Sequence, residues 1–258
     1  MNIDVIVSTY NNPKAIIQIL ARLSKGSVLP NSVAIADDGS KKSNTDQIKS
    51  FIEGIDLKIH YHWQEDRGFR KSKILNESIK ASEAEYVVFL DGDCLPHKHF
   101  VKDHILIAER GYFAQGRRCF IDELSVPLML ESKTSLSKLI FSGKVSGLLK
   151  STRLPFPLIR KNSSMYGLLG CNLGTWRDDL VSVNGFDEDY EGWGREDSDL
   201  GARLYNFGLK RKMVYGRAVV YHLNHPENSR GRLNRNEQKL SETIKSKKIR
   251  CRAGMIKE

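Results

Sequence analysis

Short β-rich runs alternate with helical patterns through the first 90 residues of this chain. The strand patterns cover residues 3–8, 32–36, 57–62 and 86–90, and helical spacing predicts a helix after each of the first three. This alternation is the arrangement expected of a parallel sheet with crossover helices. With 258 residues, the chain is long enough for one large α/β domain with a full core. We therefore predict a single α/β domain with a mostly parallel central sheet flanked by helices.

Two carboxylates follow the last of these strands, at Asp91 and Asp93, with Gly92 between them. Ligands of open α/β sheets bind at the carboxyl ends of the strands, and hard divalent cations take one or two carboxylates plus substrate phosphates. The position favours a metal and diphosphate site in the same crevice as Thr9 and Asp38. A surface turn accounts for these three residues less well, because the preceding apolar run indicates a buried strand.

A second acidic cluster opens a predicted helix about a hundred residues later, in the sequence Gly192-Trp193-Gly194-Arg195-Glu196-Asp197. The helix macrodipole also favours acids in a first helical turn, but it gives no reason for Trp193 at this position. A flat indole beside carboxylates is a common arrangement for binding a pyranose ring. Trp193, Gly194 and Glu196 are therefore candidates for binding a sugar, and Glu196 and Asp197 are candidate catalytic residues.

The loops after the first two strands contain further candidates. Thr9, Tyr10 and Asn11 follow the first strand, and Asp37 and Asp38 follow the second. Polar and aromatic side chains at these positions suit stacking on a base and hydrogen bonding to it. A turn held by local hydrogen bonds explains the first group about equally well. The two adjacent acids favour recognition of a nucleotide.

Two histidines, His222 and His225, end the last predicted strand, which covers residues 214–222. A histidine there is ordinarily a polar strand-end residue, but an imidazole can complete a metal site. If Asp93 holds a metal, we prefer His222 as the further ligand because it stands at the strand end. His225 is the alternative.

Positive charge is concentrated in two segments. Residues 230–258 contain ten Lys/Arg and three Glu, and residues 132–161 contain seven Lys/Arg and no acid, in a chain of net charge +10. The remainder is mildly acidic, and we predict no nucleic-acid partner. Basic segments without a spanning helix suit an anionic membrane surface, at roughly 1 kcal/mol per Lys/Arg near the lipid, or they are solvated and have no partner.

The cellular compartment can be predicted from the cysteine spacing and the N-terminal sequence. Its four cysteines have neither disulfide nor zinc-ligand spacing, and its N-terminus has no basic segment followed by a long apolar stretch. These features predict a cytoplasmic protein. Peripheral contact with the inner membrane is an added hypothesis drawn from the basic segments.

Taken together, these residues resemble the family 2 glycosyltransferases of the GT-A fold, over about residues 3–226. Residues 64–70, Asn76 and the later Asp91-Gly92-Asp93 look like the sugar-transferring domains of bacterial chondroitin-type polymerases. Residues 183–188 and 192–197 look like the acceptor motif of the β-1,4-galactosyltransferases. The chain departs from the animal enzymes at Arg195, where glycine is usual, and at Ser198, where an acid is usual. These departures concern which acceptor is used more than the type of reaction.

The resemblance implies roles for four of the candidates on the donor side. Tyr10 would stack on uracil, Asp38 would meet the uracil edge, and Asp93 with a histidine such as His222 would hold manganese. Arg70 could meet phosphate, although a solvated position on a helix explains this residue equally well. The implied cofactor is Mn²⁺ or Mg²⁺.

On the acceptor side, the resemblance implies that Asp197 is the general base and that Glu196 helps to hold the acceptor. We therefore predict an inverting hexosyltransferase that uses a UDP-sugar of galactose, glucose or an N-acetylated relative. The predicted acceptor is a hydroxyl of a bacterial surface glycan such as lipopolysaccharide or capsule, which includes lipid-linked forms. The alternatives are a retaining transferase, which needs no acceptor-side base, and a non-enzymatic protein that binds polyanions through its basic tail.

The predicted layout places one catalytic domain in residues 1–227 and a basic tail, mobile or loosely helical, in residues 228–258. Within the domain, residues 1–125 form the nucleotide-sugar half, residues 126–166 an inserted basic helical segment, and residues 167–227 the acceptor half. In the insert, Phe141, Val145, Leu148 and Leu149 recur at helical spacing. That spacing fits a packed helical lid and a membrane-contacting helix about equally.

Overall fold

The computed structural model describes residues 1–146, 152–165, 167–225 and 231–257 of the chain. The strands within these ranges are β1 (Ile3–Thr9), β2 (Ser32–Asp37), β3 (Ile59–Trp63), β4 (Tyr86–Asp91), β5 (Cys94–Pro96), β6 (Tyr112–Gln115), β7 (Arg118–Ile121), β8 (Leu158–Asn162), β9 (Asn172–Trp176), β10 (Lys210–Tyr215) and β11 (Val220–Leu223). The helices are α1 (Pro13–Leu23), α2 (Lys42–Ile52), α3 (Lys71–Ala81), α4 (Phe100–Ile107), α5 (Val126–Leu130), α6 (Leu136–Phe141), α7 (Arg177–Ser182), α8 (Glu196–Asn206) and α9 (Leu233–Lys245).

The central sheet has the strand order β3-β2-β1-β4-β9-β6-β10-β8. Strands β3, β2, β1 and β4 run parallel, and their register pairs Thr9 with Asp37 and Ser8 with Asp91. Strand β9 runs antiparallel between β4 and β6, and β8 is an antiparallel edge beside β10. The carboxyl ends of β1, β2 and β4 therefore lie side by side. This arrangement confirms the predicted mostly parallel sheet.

Helix α1 illustrates how the crossovers follow from the sequence. Pro13 opens the helix, where a missing N–H costs nothing, and the Asn12 side chain accepts a hydrogen bond from the Ala15 N–H at 3.3 Å. Residues at helical spacing form its buried face, namely Ala15, Ile16, Ile19, Leu20 and Leu23. Burial of this face against the sheet fixes the position of the loop that carries Tyr10.

The predicted strand over residues 214–222 is wrong as a single element. Strand β10 belongs to the central sheet, whereas β11 belongs to a second sheet of order β5-β11-β7. Between them, Gly216 and Ala218 have φ angles of 69° and 47°, in the left-handed region, and the chain turns from one sheet to the other. Because alternation reports burial rather than continuity, the pattern could not reveal this break. In the second sheet His222 pairs with Cys94, directly after Asp93.

The insert is only partly helical. It contains the short helices α5 and α6, followed by the edge strand β8. The predicted apolar helix face is not observed: α6 ends at Phe141, whose side chain is 90% exposed, whereas Val145 is buried and bridges to Ile121. Leu148, Leu149, Pro226 and the predicted boundaries at residues 166 and 227/228 lie outside the described residues. The predicted domain layout stays a prediction.

Part of the predicted tail is a packed helix. Helix α9 packs on α8, and its residues Asn236 and Thr243 are buried. The Thr243 hydroxyl donates to Asp199 Oδ1 at 2.7 Å. Further on, the Asn184 side chain donates to the carbonyl groups of Cys251 and Ile256, both at 2.8 Å. The segment is thus partly helical, as one of the two alternatives expected, but this helix is packed on α8 rather than loose.

Among the described residues, no helix combines the length and the apolar character that a bilayer crossing requires.

Candidate active site

An open cleft of about 810 Å³ lies at the carboxyl ends of β1, β2 and β4. Asp91 and Asp93, at the end of β4, line it together with Glu196 and Asp197, at the start of α8. The two acidic clusters, about a hundred residues apart in the sequence, thus share one cleft. The space is of the size that binds small-molecule ligands and cofactors.

The segment that precedes β9 joins the two clusters. The Asp91 N–H donates to the Cys171 carbonyl at 3.3 Å, and the Gly170 N–H donates to Asp197 Oδ2 at 2.7 Å. A Cβ atom on Gly170 would lie 2.7 Å from the Asp197 Cβ, so this close approach requires glycine. Adjacent residues of one backbone segment therefore fix the separation of the clusters.

Asp93, His222 and His225 form a group that could hold a metal ion, with their ligand atoms within 4.8 Å of one another. Asp93 Oδ2 lies 3.3 Å from His222 Nε2 and 3.0 Å from His225 Nε2. Burial alone would raise the pKa of Asp93, but hydrogen bonds from both histidines outweigh it and lower the pKa. Two imidazoles and an ionised carboxylate fit a transition-metal ion such as Mn²⁺ better than Mg²⁺, which prefers oxygen ligands. Both histidines offered as alternatives belong to this group, called the histidine-aspartate group below.

Lys71, the first residue of α3, connects the two acidic clusters electrostatically. Its Nζ donates to Asp91 Oδ1 at 2.6 Å and lies 4.0 Å from Glu196 Oε1. Burial opposes the charged form, but the carboxylates of Asp91 and Glu196 outweigh it and raise the pKa of Lys71 above its usual range. Lys71 was not among the candidates predicted from the sequence. A signal was present, because Lys71 shares a helix face with the buried Leu75 and Ser78.

Arg118 is a second cationic residue that sequence analysis missed. It lines the cleft from β7, with its guanidinium 4.9 Å from the centre of the Phe120 ring. The negative charges of Asp91 and Asp93 act on it across the cleft. The sequence did not predict β7, which is only four residues long, so nothing placed Arg118 near the acids.

Glu196 and Asp197 differ in their surroundings although they are neighbours. Glu196 is 7% exposed, and its Oε2 has no hydrogen-bond partner within the described part of the chain. Burial and the nearby Asp197 carboxylate raise the pKa of Glu196 to about 7, against the opposing charge of Lys71. Asp197 Oδ1 accepts from the Ser198 N–H at 2.6 Å, and its Oδ2 accepts from Gly170. Asp197 is therefore held in a fixed orientation, whereas Glu196 changes charge near neutral pH.

The loop before α8 brings the indole to the cleft. Trp193 and Gly194 both line it. Gly194 and Arg195 have φ angles of 104° and 78°, so two consecutive residues are left-handed and turn the chain sharply into the helix. Arginine is unusual in this conformation, and its Nη2 is held 2.7 Å from Glu237 Oε1 of α9.

Five of the eight candidates for nucleotide-sugar binding line the cleft: Asp91 and Asp93, described above, and Thr9, Tyr10 and Asp38. The Thr9 hydroxyl is buried and has no hydrogen-bond partner among the described residues. Tyr10 is 53% exposed, and its hydroxyl donates to Asp66 Oδ2 at 2.9 Å. Burial raises the pKa of Asp38, whose Oδ2 accepts from the Arg70 N–H at 2.8 Å. These side chains present a hydroxyl, an aromatic ring and a carboxyl group to a ligand.

The other three candidates support the loops and do not line the described cleft. Asn11 Oδ1 accepts from the Lys41 N–H at 2.9 Å, which joins the first loop to the second. Asp37 is fully buried and accepts from the Ser40 N–H at 2.8 Å. Arg70 directs its guanidinium to the Glu65 carbonyl. The sequence could not separate these residues from their neighbours, because local turns and ligand contacts use the same residue types.

Comparisons with known proteins agree with this geometry. The chain matches the family model described as "Glycosyl transferase family 2" over residues 4–154. It also matches the model described as "N-terminal domain of galactosyltransferase" over residues 153–226. The two matches together cover both acidic clusters and confirm the resemblance noted in the sequence.

Similar proteins include chondroitin synthase from Escherichia coli, 27% identical over 245 residues that cover 87% of this chain and 35% of that protein. The chain thus spans about a third of that relative. The structure of S. aureus TarS 1-349 in complex with UDP has a TM-score of 0.67 at 18% identity, and covers 96% of this chain and 65% of that chain.

The mannosyltransferase PcManGT from Pyrobaculum calidifontis, in complex with GDP-Man and Mn²⁺, has a TM-score of 0.58 at 19% identity, and covers 86% of this chain and 56% of that chain. The two structural likenesses confirm the predicted GT-A fold. Because the first family model matches more than half of the chain, the protein belongs to glycosyl transferase family 2.

Proposed function

We propose that the protein is a metal-dependent inverting glycosyltransferase that moves a hexose from a UDP-sugar to a hydroxyl of a bacterial surface glycan. The observation that carries the proposal is the single cleft lined by both the histidine-aspartate group and Asp197. Transfer between two substrates needs positive charge beside the departing diphosphate and a base beside the attacking hydroxyl. Family membership makes the protein a glycosyltransferase, so a purely polyanion-binding function is not supported.

On the donor side, we assign Tyr10 to stack on uracil and Asp38 to accept a hydrogen bond from the uracil edge. The Thr9 hydroxyl, buried without a partner within the described residues, is available to the ribose or a phosphate. Aromatic stacking plus a few placed polar groups is the usual composition of such sites. The likeness to a TarS structure that contains UDP supports a uridine nucleotide. The sugar is galactose, glucose or an N-acetylated relative.

We assign Mn²⁺ or Mg²⁺ to the histidine-aspartate group. The mixed nitrogen and oxygen donors favour Mn²⁺, and the likeness to a mannosyltransferase that contains Mn²⁺ supports this choice. The ion, when bound, supplies positive charge that stabilises UDP as the leaving group. Lys71 and Arg118 add protein charge near the same place.

On the acceptor side, Asp197 takes the proton of the acceptor hydroxyl. The hydroxyl oxygen then attacks the anomeric carbon opposite the departing UDP, so one carbon–oxygen bond forms as another breaks and the configuration inverts. Two backbone N–H groups, at 2.6 and 2.7 Å, orient Asp197 before the substrate binds. Trp193 offers a flat face for a pyranose, and Glu196 holds an acceptor hydroxyl. Similarity to a chondroitin synthase supports a glycan acceptor, free or lipid-linked.

A donor screen tests this proposal directly. The purified protein is incubated with UDP-galactose, UDP-glucose and their N-acetylated forms, each with Mn²⁺, Mg²⁺ or EDTA and with methyl β-glycosides of galactose, glucose and N-acetylglucosamine as acceptors, and released UDP is measured. We expect one UDP-hexose to be used fastest, with stimulation by Mn²⁺, and NMR to show a β-linked product from the α-linked donor. Failure of every UDP-sugar to release UDP in the presence of a metal would overturn the proposal. A retained α configuration would overturn its inverting part.

Replacing Lys71 with methionine should shift the pH dependence of acceptor use. The variant removes the charge that lowers the Glu196 pKa, which is about 7 with Lys71 present, so Glu196 should keep its proton to higher pH. At pH 7 the acceptor KM should rise several-fold, because a protonated carboxyl is a weaker acceptor for a sugar hydroxyl than a carboxylate. The KM should recover as the pH is raised and Glu196 ionises.

The matched control for this variant is Lys73→Met, which removes an exposed lysine two residues along the same helix. Acceptor KM measured between pH 6 and 9 should be unchanged in the control. An unshifted profile in Lys71→Met would show that the charge of Lys71 does not act on Glu196.

We also propose that the surface around α5 and α6 contacts the anionic inner membrane. Phe141 and Leu124, 90% and 83% exposed, lie in a segment that also contains Lys138 and Lys144, both exposed. Exposed apolar side chains beside lysines are the composition of interfacial anchors. The C-terminal basic segment is a poorer place to test this contact, because its deletion would remove α9, which packs on α8.

The variant Phe141→Ser should weaken flotation with vesicles that contain phosphatidylglycerol by about tenfold, since burial of a phenylalanine is worth roughly 1.5–3 kcal/mol. Neutral phosphatidylcholine vesicles should bind neither protein. Phe207→Ser, at an exposed site after α8, is the control and should float like the unmodified protein. If Phe141→Ser floats as well as the unmodified protein, this surface does not contact the membrane.

A further inference from the structure

Helix α9 lies outside both family models, the second of which ends at residue 226, yet it contacts the candidate acceptor loop. The loop comprises residues 191–196, from the residue after Tyr190 to the first residue of α8. The inference drawn from this contact rests on the proposed function, because it assigns α9 to the acceptor side of the same cleft.

Asn236 is the central contact between α9 and the loop. Its side chain is 1% exposed, and its Nδ2 donates to the Gly194 carbonyl at 2.9 Å and to the Glu191 carbonyl at 3.3 Å. These carbonyls lie on either side of Trp193 in the sequence. A single buried amide therefore fixes the backbone on both sides of the indole.

Two ion pairs flank this contact. Arg232 Nη1 lies 2.9 Å from Glu191 Oε2, and Arg195 Nη2 lies 2.7 Å from Glu237 Oε1. The second pair holds an arginine whose φ of 78° is unfavourable for any residue with a Cβ. Glu237 thus stabilises the turn that places Glu196 at the start of α8.

Leu233 is the residue of α9 that reaches the cleft itself. It lines the cleft together with Trp193 and Gly194, and a Cβ on Gly194 would lie 3.0 Å from Leu233 Cδ1. An aliphatic side chain has no hydrogen-bonding group, so it favours an apolar surface over a hydroxyl in contact with it. The indole and Leu233 together give this part of the cleft an apolar wall.

We propose that α9 is part of the acceptor site. Leu233 is a specificity-determining residue that packs against an apolar part of the acceptor next to the sugar held by Trp193. Asn236 and Glu237 are positioning residues that act through the loop. The preferred acceptor is therefore a glycoside whose neighbouring group presents an apolar face, such as an aryl group or the C–H face of a second sugar.

The test compares methyl and p-nitrophenyl β-glycosides of galactose, glucose and N-acetylglucosamine as acceptors, with the UDP-sugar found in the donor screen. The unmodified protein should prefer the aryl glycoside. In Leu233→Ala, the acceptor KM for the aryl glycoside should rise about tenfold, since loss of a few methylene contacts in an apolar pocket is worth 10-fold or more. The preference over the methyl glycoside should fall with it, and the UDP-sugar KM should change less than the acceptor KM.

Leu106→Ala is the matched control, because Leu106 is exposed on α4 and does not line the described cleft. It should keep the aryl preference. An unchanged preference in Leu233→Ala, or an equal rise of donor and acceptor KM, would overturn the proposal. If the unmodified protein uses no UDP-sugar, the proposed function fails instead, and the two failures are thereby distinguished.

The positioning role has a readout that does not depend on activity. In Asn236→Ala, hydrogen exchange of the amides of residues 191–196 should accelerate at least tenfold relative to the unmodified protein, while exchange in β1 and β4 is unchanged. Glu237→Gln, which keeps the shape of the side chain, should give a smaller acceleration in the same residues. Unchanged exchange of the loop in a folded Asn236→Ala would contradict the role. If that variant does not fold, Glu237→Gln and Leu233→Ala decide the proposal.

Discussion

Replacing Asp197 with asparagine should reduce sugar transfer by about 10² to 10⁴, the contribution of a positioned general base. Asparagine keeps the size of the side chain, and its one amide oxygen can accept from one of the two N–H groups, Gly170 or Ser198, that hydrogen-bond to Asp197. Its amide, however, cannot take the proton of an acceptor hydroxyl. The loss should therefore appear in kcat for transfer, while the KM for the UDP-sugar stays within a few-fold. Initial rates with a saturating donor and a varied acceptor measure both quantities.

The control for this variant is Asp189→Asn, which changes an exposed acid shortly before the second acidic cluster that does not line the described cleft. Its transfer rate should equal that of the unmodified protein. A nearly unchanged rate in Asp197→Asn, together with an α-linked product, would favour the retaining mechanism. An equal loss in both variants would point to the net charge of the cluster rather than to Asp197 as a base.

Replacing Asp93 with asparagine should abolish the stimulation of transfer by Mn²⁺ and lower the rate by about 10²-fold or more, the cost typical of removing one preorganised electrostatic group. The amide has no charge to balance the cation, and two neutral imidazoles alone bind it weakly. The lowered pKa of Asp93 means that the carboxylate is already ionised in the unmodified protein, so the charge is lost in full. Calorimetric titration with UDP, with and without Mn²⁺, measures the effect separately from catalysis.

For Asp93 the matched control is Asp56→Asn, at an exposed position outside the described cleft lining. The control should bind UDP more tightly with Mn²⁺ than without it, like the unmodified protein. Asp93→Asn should bind UDP equally with and without the metal. Retained Mn²⁺ stimulation in Asp93→Asn would exclude the histidine-aspartate group as the metal site.

One backbone segment links the two acidic clusters of the cleft. Asp91 and Asp197 are tied to Cys171 and Gly170, adjacent residues that hydrogen-bond to one acidic cluster each. Gly170→Ala would add a Cβ only 2.7 Å from the Asp197 Cβ. The relative placement of the two acidic clusters therefore depends on a backbone segment that contains no candidate catalytic side chain.

The sequence by itself determined the parallel half of the sheet and the edge at which ligands bind. The first four strands agree with the structure to within one or two residues at their ends, because strand and helix periodicities report burial on each element separately. Parallel strands place their carboxyl ends at one edge, so the order of strands and helices along the chain is enough to group Thr9, Asp38 and Asp91. The two acidic clusters supplied Asp93 and Asp197 as candidates, and the family resemblance gave each of them an expected role.

Only the tertiary structure decided which residues meet across elements. Lys71 bridges Asp91 and Glu196 from a third element, and His225 joins His222 because a break after β10 sends the chain into a second sheet. The placement of α9 against the acceptor loop likewise depends on Asn236, a residue that no sequence pattern singles out. Contacts of this kind arise from packing between distant segments, which local periodicity does not encode.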